Sequence, residues 1–162
     1  MTHPGSGRPA APTRAEYVAW RQVTTRWADD DAYGHMNNAT YYELFDTAVN
    51  AHLFEATGQD IRALPAIGVV AETSCRYFRE IGFPSPVDTG LVVERLGTSS
   101  VVYRIGLFQG DSETAAAEGR FVHVYVANDR PGQRPVRPVP EVIRAAVGGL
   151  VRPRPAGPVA TG

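Results

Sequence analysis

The chain has 162 residues, of which 43% are hydrophobic and 20% charged, the size and balance of one globular domain that builds its own core. Its sixteen basic residues, all arginine, stand against seventeen acidic ones for a net charge of −1. That balance argues against a general nucleic-acid binder, because neutralising phosphates takes a basic excess. A single cysteine, Cys75, excludes an internal disulfide and permits a reducing compartment. No run nears the ~20 apolar residues of a membrane-spanning helix, so the expectation is a soluble cytoplasmic protein with no membrane partner.

Residues 1–14 are rich in Pro, Gly and small side chains, carry no apolar segment of a signal peptide, and read as a flexible leader. Residues 151–162 read as a flexible tail for the same compositional reason. One domain is expected over residues 15–150. It opens with a strand over residues 17–27, where Val18, Trp20, Val23 and Thr25 suit extended structure. A polar, turn-rich run follows, from Asp29 to His35. Asn37 and Asn38 then stand where helix N-caps stand.

Residues 39–57 carry apolar side chains at Tyr41, Leu44, Phe45, Ala48, Val49 and Leu53, the spacing of one buried helix face. Gly58 is a natural stop. Strands are expected next over residues 67–78, 87–96, 101–109 and 114–128, with a tight turn at Gly110-Asp111. A short helix over residues 140–147 ends the domain, with Pro140 in its first turn. A strand, a long helix and a run of antiparallel strands make an α+β domain with the helix laid across one sheet face. The uncovered edge or face then calls for a symmetric partner chain.

Familiar catalytic signatures are missing. There is no G-x-S-x-G elbow, no phosphate-binding glycine loop and no H-E-x-x-H. Cys75 falls inside a strand and reads as a structural thiol. The four histidines, His3, His35, His52 and His123, have no ligand spacing. Asp29-x-Asp31 resembles half a calcium loop but has Tyr33 and Thr40 where oxygen ligands belong. No metal or cofactor is expected. What remains is the segment 29–38, three carboxylates before a helix N-terminus. Exposed helix amides and their partial positive charge hold an oxyanion, and a nearby carboxylate serves as base or nucleophile. Those two groups are what thioester hydrolysis needs. The residues alone allow an equally simple alternative, in which the aspartates are loop and pre-cap groups favouring the helix dipole.

The run from Trp27 to Tyr41, W-A-D-D-D-A-Y-G-H-M-N-N-A-T-Y, resembles the signature of the 4-hydroxybenzoyl-CoA thioesterase-like branch of hot-dog proteins. The resemblance implies a hot-dog fold: a long central helix on a curved antiparallel sheet of about five strands. It implies acyl-CoA hydrolysis with Asp31, three residues before Gly34, as the catalytic carboxylate. Backbone amides around Asn37 and Asn38 would bind the thioester carbonyl, Asn38 as the catalytic amide. Tyr33, Gly34, His35 and Asn37 would border the substrate, and residues 67–71, centred on Val69, would line the acyl channel. Arg76, with Arg79 and Arg104 as alternatives, would meet coenzyme A phosphates. Some relatives use a helix Glu, but Glu43 lies a full turn too deep. The resemblance also implies a homodimer or homotetramer with sites between subunits. A carrier-protein thioester as substrate, a non-catalytic acyl-binding protein, and a dehydratase using His35 with Asp31 stay open as alternatives.

Overall fold

The computed structural model describes residues 9–129 and 131–155. His3 and the outer parts of the expected leader and tail lie outside them. The chain forms five strands, β1 (Ala19–Val23), β2 (Ala66–Tyr77), β3 (Val87–Leu96), β4 (Ser100–Gln109) and β5 (Ala117–Ala127), with α1 (Asn38–Thr57) and α2 (Glu141–Gly148). The strands make one antiparallel sheet in the order β1-β3-β4-β5-β2. β2 and β5 pair over eleven registered positions, interrupted by a bulge between Val70 and Glu72. This is the expected α+β hot-dog architecture.

α1 forms where its apolar spacing predicts. Asn37 caps it by accepting the Ala39 N–H at 2.9 Å, and Gly58 ends it in a left-handed conformation. Thr40, Tyr41, Leu44, Phe45, Ala48, Val49 and Leu53 are buried on one side of α1, and most join a core with Leu91, Tyr103, Ile105, Phe121 and Tyr125. Phe45 lies so close to β5 that a Cβ on Gly119 would be 2.5 Å from its ring. The opposite sheet face carries a smaller cluster of Tyr17, Val92, Phe108 and Ala115.

Two expectations are corrected. The first strand stops at Val23, and Trp27–Asp29 is a 3-10 turn. The cause is Asp29, whose carboxylate turns back to accept the Arg26 N–H at 2.7 Å. Trp27 is therefore 82% exposed and meets Phe83 edge to face. The segments bordering the domain also engage the sheet more than their composition suggests. The Pro12 carbonyl accepts the Ala115 N–H at 2.8 Å, and the Arg152 N–H donates to the Val93 carbonyl at 2.8 Å. Arg154 reaches the buried Glu118.

Candidate functional site

Asp29, Asp30 and Asp31 do three different jobs. Asp29 is 6% exposed. Burial alone would raise its pKa, but the Arg26 guanidinium and backbone N–H outweigh burial and hold it below the usual carboxylate range. Its carbonyl accepts the Asn37 N–H at 2.7 Å, so the end of the turn is tied to the start of α1. Asp30 accepts the Phe83 N–H at 3.1 Å and ties the same loop to the segment before β3. Met36 adds a third tie, donating its N–H to the Ile81 carbonyl at 2.9 Å.

Asp31 sits at the head of the hairpin these ties create. Its N–H donates to the His35 carbonyl at 2.7 Å. Its Oδ1 accepts the Tyr33 N–H at 2.8 Å and the His35 N–H at 3.2 Å. No described donor engages Oδ2, so one oxygen anchors the loop and the other is free to react. Gly34 adopts φ +80°, a conformation that an L side chain would strain, and this lets the chain turn back towards α1.

The opening amides of α1 are nearly all used. The Asn37 N–H goes to Asp29, the Ala39 N–H to the Asn37 side chain, and the Thr40 N–H to the Asn37 carbonyl at 2.9 Å. Asn38 is the exception: its N–H has no acceptor among the described residues. The Asn38 side chain is held from the other side, where Tyr77 of β2 donates its hydroxyl to Oδ1. Tyr77 in turn packs edge to face on Tyr41, ring centres 5.0 Å apart. Burial, with Cys75 nearby, raises the Tyr77 pKa, so the phenol stays a donor.

The remaining expected residues are placed as follows. Tyr33 is 85% exposed. The His35 ring turns to Glu80, Nε2 to Oε2 3.1 Å, so a His–carboxylate pair forms with Glu80 and not with the Asp31 side chain. Val69 pairs with Val124, whereas Gly68 pairs with Tyr125. Since paired residues share a face, Val69 points away from α1 and Gly68 points towards it. Arg76 pairs with Glu118 on that same far face, so a single chain does not bring Arg76 to Asp31. Burial pushes the half-buried Cys75 thiol up to about 11, which suits a structural role. Among the described residues no group of three or more His, Cys, Asp or Glu gathers to hold a metal.

Sequence reasoning missed Tyr77 and Glu80. Alternation from Cys75 puts Tyr77 on the helix face, a signal that was available. Glu80 lies just past β2 with no local signature of its role. Asp31 borders none of the cavities described among these residues; one of about 140 Å³ is bordered by its neighbour Asp29 with Met36, Thr40 and Glu43. β2 pairs only with β5 and leaves Val69, Val70 and Tyr77 36%, 49% and 42% exposed, so the site lies beside an unpaired edge.

Asp31 thus keeps one carboxylate oxygen without a described donor, and seven residues further on α1 opens with an amide that has no described acceptor. The chain belongs to the thioesterase-like superfamily, whose family model matches residues 25–147. Among solved structures it is similar to the PA5185 protein of Pseudomonas aeruginosa at 45% identity, covering 88% of this chain and 97% of that one with a TM-score of 0.81. It is also similar to PA2801 of the same organism, provisionally assigned as a thioesterase, at 33% identity, 78% and 95% coverage and a TM-score of 0.69. The gentisyl-coenzyme A thioesterase BH1999 shares the fold at 20% identity, with 79% and 98% coverage and a TM-score of 0.68. No curated protein matches in sequence.

Proposed function

We propose that the protein hydrolyses acyl-coenzyme A thioesters, with Asp31 as general base or nucleophile and the Asn38 backbone N–H as the oxyanion donor. The observation that carries this reading is the division of labour at Asp31. Oδ1 is fixed by two backbone N–H groups while Oδ2 has no described donor, and the loop that Asp31 heads leads into the one opening amide of α1 that lacks an acceptor among the described residues. As base, Oδ2 takes a proton from water as the water oxygen bonds to the acyl carbon. The carbonyl oxygen becomes anionic against the Asn38 N–H, where the dipole of a 20-residue helix favours negative charge. Collapse breaks the carbon–sulfur bond, and the coenzyme thiolate leaves and takes up the proton. Direct attack by Oδ2 would give a mixed anhydride that water then opens.

Coenzyme A as the thiol is supported by the gentisyl-coenzyme A neighbour; a carrier-protein thioester remains an alternative. A homodimer, or a tetramer built from it, is part of this reading. β2 is a twelve-residue edge strand with exposed valines, and unpaired apolar edges recruit another strand. Antiparallel addition of a second copy would lay its β2 alongside Tyr77, close to Asn38. Tyr33, His35 and Asn37 would border the thioester, and Arg76 would meet coenzyme phosphates from the far face. The test is release of free thiol from a panel of aliphatic and aryl acyl-CoAs and a carrier-protein thioester. Thiol release above the uncatalysed rate is expected from at least one acyl-CoA. A folded dimer that binds these compounds but releases no thiol from any of them refutes the proposal and leaves a binding protein.

A further inference from the structure

A cavity of about 150 Å³ lies between the second half of α1, the start of β2 and α2, lined by Leu53, Leu64, Gly68, His123, Tyr125 and Ile143 among others. His123 is 2% exposed, and its Nδ1 has no hydrogen-bond partner. Such orphaned buried atoms are rare and call for a ligand or water. Burial alone lowers the His123 pKa to about 4, so the ring is neutral at physiological pH and one nitrogen is an acceptor. Gly68 keeps space open beside that atom: a Cβ there would lie 2.8 Å from Nδ1 and 3.2 Å from Tyr125 Cζ. A space of about 150 Å³ matches a benzene-sized group, and Asn50 and Arg62 also border this one.

Within one chain the cavity is far from Asn38, because Leu53 lies about 22 Å further along α1 at ~1.5 Å per residue. Antiparallel pairing through β2 changes this. With both copies of Ala66–Tyr77 fully overlapped, Gly68 of one copy faces Cys75 of the other, two residues from the Tyr77 that holds Asn38. The cavity of one copy is then next to the reactive groups of its mate. We propose, building on the hydrolase reading above, that this cavity receives the far end of the acyl group bound at the second copy's Asp31, and that His123 selects acyl groups ending in a hydrogen-bond donor such as a hydroxyl. The ligand class is a short acyl thioester with a hydroxylated terminus, its last half-dozen heavy atoms filling the cavity.

The experiment compares 6-hydroxyhexanoyl-CoA with hexanoyl-CoA. Wild-type kcat/KM favours the hydroxylated compound by roughly tenfold, the worth of one neutral hydrogen bond, and the difference lies in KM. In His123→Phe the ratio falls to about one while hexanoyl-CoA is still turned over. Gly68→Ala, whose methyl would lie 2.8 Å from Nδ1 and force the ring to shift, also removes the preference while keeping the imidazole in the chain, and serves if His123→Phe does not fold. Dissociation constants for both compounds, measured on Asp31→Asn with and without His123→Phe, separate this inference from the one beneath it. Preferential binding without thiol release in the wild type rejects hydrolysis and keeps the cavity assignment. Thiol release with equal handling of the two compounds rejects the cavity assignment alone. A mixed dimer of one Asp31→Asn copy and one His123→Phe copy tests the cross-copy geometry. It shows the wild-type preference if the cavity serves its mate, and a ratio of one overturns that arrangement.

Discussion

Asp31 has a structural and a chemical duty, and two substitutions separate them. Asparagine at position 31 keeps an oxygen that accepts from Tyr33 and His35, bonds of 2.8 and 3.2 Å, but carries no charge and is a poor base. Alanine loses both bonds as well. A net backbone-to-side-chain hydrogen bond contributes about 0.5–1.5 kcal/mol, and this loop is partly open to water, so Asp31→Ala should lose about 1–2 kcal/mol and Asp31→Asn close to nothing. For a chain of this length each kcal/mol shifts the melting temperature by roughly 2–4 °C, which predicts a drop of about 2–8 °C for alanine. Both variants should lose roughly 10²–10⁴-fold in kcat, the usual worth of a positioned base. Thermal melts and thiol release on the same preparations read the two effects. Asp31→Asn keeping more than a tenth of wild-type turnover while fully folded would refute the catalytic assignment. Asp31→Ala melting at the wild-type temperature would refute the account of the loop.

Three further outcomes follow from the geometry. Asn38→Pro deletes the unpaired N–H at a first-turn position where proline is tolerated, and Asn37 at ψ 137° already has the conformation a following proline requires. Helix content by circular dichroism should hold while kcat falls about 10²–10³-fold, with Asn38→Ala, which keeps the amide, far less affected. His123 has a folded pKa of about 4 against ~6.5 unfolded. The unfolded chain therefore binds the extra proton between those values, and the stability from keeping the ring neutral is full above ~6.5 and shrinks as pH falls towards about 4. The full effect is on the order of 3 kcal/mol. Melting curves from pH 7 to 4.5 should fall more steeply for wild type than for His123→Phe, and parallel curves would sink the idea. Gly119→Ala places a methyl 2.5 Å from the buried Phe45 ring and should cost about 1–3 kcal/mol in urea unfolding; unchanged stability would mean that α1 can lift off the sheet.

The elements that sequence could reveal were those with a strong period. α1 repeats its apolar side chains every three or four residues, and β3 lies between clear breaks at Pro86 and Gly97, so both emerge where expected. Residues 17–27 misled because their strand-like side chains continue past Val23, while the event that ends the strand is Asp29 folding back on Arg26. A carboxylate reaching three residues upstream leaves no trace in hydropathy. The site was legible as a motif but not as a geometry. Asp29, Asp30 and Asp31 are identical in type, and only the hydrogen bonds show that the first braces a turn, the second braces a loop and the third keeps an oxygen free. Val69 and Gly68 differ by one position, and the pairing register decides which faces the helix. Glu80 meets His35 only because the chain after β2 returns past the hairpin.

The way the chain treats its sheet borders explains why the reactive groups are where they are. β1 is an edge of five residues carrying Arg21 and Gln22, with Arg21 paired to Glu55 of α1; a short, charged edge resists further pairing. The described residues that flank the domain border the face opposite α1, through Pro12 on Ala115 and Arg152 on Val93, near the buried Arg104 and Glu118. β2 is more than twice as long as β1 and exposes Val69, Val70 and Tyr77, although it also carries Glu72, Arg76 and the bulge after Val70. The helix-side end of that strand is where Tyr77 fixes Asn38 and the amide stays unpaired, and near its other end Gly68 packs on His123. The long edge strand β2 runs between two of the chain's unsatisfied polar atoms, the Asn38 N–H and His123 Nδ1. In the proposed dimer, antiparallel addition of a second copy would serve both at once, because one symmetric contact would bring each free amide to the other copy's cavity.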